Sequence, residues 1–155
     1  MTFRIQGLDA APFQPLYGLP DEELARRHIV RVHVTQPHSA PDRVGLRDAK
    51  PGETVLLLNH VYHDAETPYR GTHAIYVREG SDVPAVFVDE VPEVMRRRLL
   101  ALRAFDAQGM MVDADVVEGR EAAPVIERLL ARGDTAYLHA HFAKRGCFAA
   151  RIDRA

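Results

Sequence analysis

The stretch "TAYLHAHFAKRGCFAARID", Thr135–Asp153, decides the fold, because it reads as two strands and a tight turn. Alternation places Tyr137, His139, His141, Cys147 and Arg151 on one face. Leu138, Phe142, Phe148 and Ile152 fall on the other, which is the period-two pattern of a strand. The turn "AKRGC" fits a three-residue loop, Lys144-Arg145-Gly146, with Gly146 in the left-handed conformation. Ala143 then pairs with Cys147, His141 with Ala149, His139 with Arg151 and Tyr137 with Asp153. A four-residue loop slips the register by one and mixes polar with apolar on both faces, so the shorter loop is expected.

On that register a thiol, two imidazoles and a guanidinium surround the small Ala149. Cys147 is then a candidate nucleophile, because positive neighbours favour the thiolate. His139 and His141 are its candidate partners, and Arg151 offers a fork for a carboxylate or phosphate. The plainer reading is the wet side of an antiparallel sheet, where such residues are ordinary. In that reading Cys147 is a small buried hydrophobe. Both readings stand at this point. His139 and His141 can also chelate from one face, with Asp113 or Asp115 completing a two-His, one-carboxylate set. Spacing fixes no third ligand, so no metal or other cofactor is expected.

Outward from the hairpin, "REAAPVIERLLARGD" reads as a helix closed by a left-handed Gly133. "GMMVDADVVEG" alternates as a strand. "PEVMRRRLLALRAFD" has Pro92 at a first helical position and Val94, Met95, Leu99, Leu102 and Phe105 at helical spacing. It is expected to be the long helix, with Arg96–Arg98 on its solvated side. "IVRVHVT", "TVLLLNHV", "THAIYVR" and "VPAVFVDEV" read as strands, and "GLPDEELARRHI" as a short helix capped by Asp21. Several strands precede the long helix. The order favours α+β, a largely antiparallel sheet with two main helices packed on one face.

The chain has 155 residues and one cysteine. That length suits a single domain spanning 1–155, and no intrachain disulfide is available. Lys+Arg number 20 against Asp+Glu 22, so no basic excess points to nucleic acid. The N-terminus lacks a secretory pattern and no apolar run is long enough for a membrane span. A cytoplasmic location is expected, without membrane or nucleic-acid partners. Oligomeric state is left open.

"ETPYRGTHAIYV" is the second stretch of interest. An irregular loop entering a sheet is a common place for ligand contacts. Arg70 can clamp an anion, Tyr69 can pack on a flat ligand, and His73 starts the inward side of the strand. The simpler assignment makes Tyr69 a core cap, Arg70 solvated and His73 a satisfied core histidine.

Four stretches together carry a resemblance: "LRDAKPGETVLLLNH", "TPYRGTHAIYVRE", "LRAFDAQGMMVDADVVEG" and "YLHAHFAKRGCFAARIDRA". The combination resembles bacterial domain-of-unknown-function family 1203 over nearly the whole chain. The resemblance implies a stand-alone, single-domain bacterial protein and brings no activity with it. Relatives often read Pro-Cys-Arg where this chain has Pro41-Asp42-Arg43, so Cys147 would have to work without a second thiol. The expectation is a pocket for a small anionic molecule, walled by the last hairpin and the Tyr69–His73 loop. Arg70 and Arg151 would hold the anion, and Cys147 or a histidine would be the reactive group. The alternatives are a non-catalytic regulatory or protein-interaction module and a metal-dependent enzyme using His139 and His141.

Overall fold

The computed structural model describes residues 2–155. The described residues form eleven strands in two sheets, with three short α-helices. The strands, in chain order, are β1 Phe3–Gln6, β2 Val30–His33, β3 Pro41–Asp42, β4 Arg47–Asp48, β5 Thr54–His63 and β6 Gly71–Arg78. They continue with β7 Val86–Val88, β8 Leu99–Phe105, β9 Met111–Glu118, β10 Tyr137–Phe142 and β11 Phe148–Arg154. The first sheet has six strands in the order β7-β1-β11-β10-β8-β9, all antiparallel. The second has five in the order β2-β5-β6-β3-β4, with one parallel pair between β3 and β6. The helices are α1 Asp21–Arg26, α2 Glu93–Arg96 and α3 Ala122–Leu130.

The α+β class and the antiparallel bias hold, whereas the two main helices on one face do not. Among the described residues α3 is the one helix of seven or more residues. Its Ile126, Leu129 and Leu130 pack with Leu102, Leu138 and Ile152 on the six-stranded sheet. The short α1 serves a different core, where Leu24 meets Leu56, Leu58, Ile75 and Val77 of the second sheet. Asp21 is the first residue of α1 rather than its cap, and Pro20 precedes it. Gly133 has no positive φ, so α3 does not end on a left-handed glycine.

The expected long helix is the main correction. It stops after one turn at Arg96, and Leu99–Phe105 is a strand between β10 and β9. Leu100, Leu102 and Ala104 alternate inward while Leu99, Ala101 and Arg103 are less buried. The apolar set therefore satisfies period two as well as helical spacing. Pairing on both edges overrides the helix propensity of Leu, Ala and Arg.

The hairpin follows the expected register at its base and departs from it at its tip. His139 pairs with Arg151, and Gly146 has φ 79°. Beyond Ala140 the register shifts, so His141 faces Phe148 rather than Ala149. Phe142 donates its N–H to the Cys147 carbonyl, leaving a four-residue loop, Ala143–Gly146. The slip that argued against this loop is absorbed by a bulge at Ala149, which restores the base register. A Cβ on Gly146 would meet no atom within 4 Å, so only backbone strain opposes a side chain there. Gly146→Val should cost about 1 kcal/mol or more in urea unfolding; an unchanged midpoint would contradict the left-handed turn.

Candidate functional site

The bulge decides which residues share a face. It puts Phe148 on the histidine side and leaves Cys147 against the apolar core that contains Phe142. The expected dent of thiol, two imidazoles and Arg151 is therefore not formed. Arg151 is taken up elsewhere, paired with Asp153 at 2.9 Å and stacked 4.2 Å over the Tyr137 ring.

Nor is the histidine face wet. His139 is 3% exposed and His141 is fully buried. The cover comes from the second sheet. The β5–β6 hairpin lays Tyr62, His63 and His73 over β10. Tyr62 stacks on His73 at 4.5 Å and meets His141 edge-on at 5.0 Å. His63 meets His139 at 5.2 Å, and His73 meets His141 at 5.3 Å. The joint between the sheets is thus a run of four imidazoles packed with aromatic rings.

The partners fix most of the protons. His63 donates Nδ1–H to the Tyr69 carbonyl at 3.1 Å, so its Nε2 accepts from the Tyr137 hydroxyl at 2.8 Å. His141 donates Nδ1–H to the Gly146 carbonyl at 3.0 Å, and its Nε2 is buried without a partner. His73 accepts the Phe148 N–H on Nδ1 at 3.1 Å and carries its proton on Nε2. His139 Nδ1 is buried without a partner. Burial, with neighbouring imidazoles and then Arg151 and Arg103, pushes His139 down to about 3. Burial is also the main cause that takes His141 down to about 4, assisted by Arg103. His73 is lowered by burial, Arg103 and Arg43. His73, His139 and His141 are therefore neutral at neutral pH and lend no positive charge to a thiol.

Cys147 instead opens, partly exposed, onto a cleft of about 980 Å³. The cleft lies between the β10–β11 turn and β6, so His73 and Ala74 form one side and Lys144 and Arg145 the other. Of the second expected wall, Tyr69–His73, only His73 lines this cleft; Tyr69 and Arg70 lie outside it. Arg70 is exposed and pairs with Asp64. Tyr69 sits near Phe105 at 6.2 Å, and its carbonyl holds His63.

Sequence reasoning missed a buried residue in the wall of this cleft. Arg43 is only 1% exposed and is the largest fully buried side chain. Its Nε donates to the Phe148 carbonyl at 2.8 Å and its Nη1 to the Pro41 carbonyl at 2.6 Å. Its Nη2 lies 3.1 Å from Cys147 Sγ, and the guanidinium sits 5.0 Å from the Phe142 ring centre. Among the described residues it forms no ion pair with a carboxylate. Arg97, Arg98, Lys144 and Arg145 add further positive charge, and no Asp or Glu lines the wall. Arg98 is half-buried and paired with Asp48 at 2.7 Å rather than solvated on a helix. Lys144 and Arg145 are exposed and form no ion pair with a described residue. The legible signal is the turn itself, "AKRGC", whose Lys144 and Arg145 bring two cations to the cleft.

The two-His, one-carboxylate metal set is not assembled. Asp115 is bound by Arg128 of α3, and Asp113 by Arg132 just beyond the helix. Among the described residues no group of three His, Cys, Asp or Glu stands in a metal-binding arrangement. No described helix is long and apolar enough to cross a membrane.

A family model described as "Protein of unknown function (DUF1203)" matches residues 39–154. That span contains Arg43, the whole cleft apart from His38, and the histidine joint. No curated protein and no solved structure matches the chain.

Proposed function

This chain belongs to the DUF1203 family, and we propose that it binds a small anionic molecule in the cleft between the β10–β11 turn and β6. One observation carries the reading. Five cationic side chains line one concavity that has no carboxylate in its wall. Arg97 and Arg98 pair with Glu93 and Asp48 outside it, whereas Arg43, Lys144 and Arg145 form no ion pair with a described residue. The chain as a whole has more acidic than basic residues, 22 against 20, so this concentration is local. A concave wall of one sign focuses potential and draws in ions of the other. Leu57, Ala74 and Tyr76 give the same cleft an apolar side, which suits an anion with a non-polar body. Polar groups on a mostly apolar lining are the usual make-up of a small-molecule site. The anion would rest on the turn cations and Arg43, in place of the Arg70 and Arg151 pairing expected from sequence.

Thermal unfolding in the presence of phosphate, sulfate and small mono- and dicarboxylates tests this. A ligand at about one hundred times its dissociation constant stabilises by about 2.7 kcal/mol, roughly 5–10 °C for a domain of this size. The double variant Lys144→Glu/Arg145→Glu, on an exposed turn, should weaken that binding about tenfold or more. Absence of stabilisation by every anion, or equal binding by the variant, would reject the assignment.

A further inference from the structure

We propose that Cys147 is a reversible S-thiolation site selective for anionic disulfides, a reading that rests on the anion-binding cleft. The sulfur is partly exposed in the cleft and touches Arg43 Nη2 at 3.1 Å. Two carbonyls and the Phe142 ring hold that guanidinium in place. Its charge is nine-tenths buried or more, lines the cleft, and has no carboxylate partner among the described residues. A ligand that brings negative charge to the sulfur therefore also supplies what the buried guanidinium lacks.

Thiol–disulfide exchange brings such charge. The Cys147 thiolate attacks one sulfur of the incoming disulfide, and its proton goes to solvent. A new S–S bond forms to Cys147, the old one breaks, and its electron pair leaves on the departing thiolate. Negative charge is spread along the line of three sulfurs during this step, beside Arg43. Carboxylates on the incoming disulfide meet Lys144 and Arg145 at the rim, which favours encounter with anionic over cationic reagents. The chain has one cysteine, so no second thiol of its own can resolve the product. The mixed disulfide persists until an outside thiol attacks it. The chemistry is capture and release, with no net turnover.

The test compares dithiodipropionate, an anionic disulfide, with cystamine, a cationic one, on the intact protein. Mass spectrometry follows addition of one half-disulfide and its removal by a reducing thiol. The same rates on the urea-unfolded chain correct for intrinsic reactivity. The anionic-to-cationic rate ratio should be about tenfold or more higher in the folded protein. Lys144→Glu/Arg145→Glu, checked for folding by circular dichroism, should remove most of that selectivity. A folded ratio equal to the unfolded one, or a variant ratio like the wild type, overturns the proposal. Anion binding is read separately, by thermal shift on the fully reduced wild-type protein. Anions that stabilise the reduced protein while selectivity is absent would reject S-thiolation and leave the cleft assignment standing. Loss of both would reject both.

Discussion

Lowering the pH from about 7.5 to about 5 should remove roughly 4 kcal/mol of folding stability, most of it from His139 and His141. In the unfolded chain both imidazoles take up a proton below about 6.5. In the fold they stay neutral down to about 3 and about 4. The unfolded state therefore binds more protons across this window. Stability is fully present above about 6.5 and falls as pH falls, by about 1.4 kcal/mol per pH unit for each ring. At pH 5 each ring has cost about 2 kcal/mol. His73 and His60, also lowered by burial, act in the same direction. Glu53 and Glu79, each lowered to about 2 by their arginine partners, begin to contribute only below about pH 5. The window from 6.5 to 5 thus isolates the buried histidines from the carboxylates. Urea midpoints taken at half-unit steps measure the slope, and His139→Leu should reduce it by about half. A slope that is flat above pH 5 would mean the joint admits protons while folded.

The joint also marks where sequence pattern stops being informative. Alternation assigned His139 and His141 correctly to one face and paired His139 with Arg151. It could not say what lies above that face. Tyr62, His63 and His73 are over sixty residues away in the chain, and only the stacking of one sheet on another brings them there. The four-residue turn conflicts with strict alternation, and the bulge at Ala149 that reconciles them leaves no mark in hydrophobic pattern. β8 was misread for a different reason. Its inward residues fit two periods at once, and long-range pairing chooses between them. Arg43 shows the limit most clearly. Nothing in its local sequence announces that Phe148, Pro41 and Cys147 will enclose it.

The neighbour of that arginine carries the other large effect: Asp42→Ala should destabilise the protein by about 4 kcal/mol or more. Asp42 is 1% exposed, yet its carboxylate is fully engaged. Oδ1 accepts the Val44 N–H at 3.2 Å and the Arg78 N–H at 3.0 Å. Oδ2 accepts the Gly45 N–H at 2.9 Å and the Ser81 hydroxyl at 2.8 Å. These four donors come from the loop after β3 and from the end of β6 and the turn beyond it. The carboxylate therefore ties together the two segments that frame Arg43. Alanine leaves four donors orphaned at a cost of about 1–3 kcal/mol each where water cannot replace the bond. Local relaxation and entering water recover part of this. Asp42→Asn keeps an acceptor on one side and sets an N–H against donors on the other, so about half the loss is expected. Gly45 is part of the same device, since a Cβ there would lie 2.8 Å from Asp42 Oδ2. Urea unfolding of the two variants gives both values. An Asp42→Ala protein within about 1 kcal/mol of wild type would show that the loop holds its shape without the carboxylate. On the proposed anion site, the Ala variant should also lose binding before it unfolds, because Arg43 follows Asp42 in the loop that its carboxylate anchors.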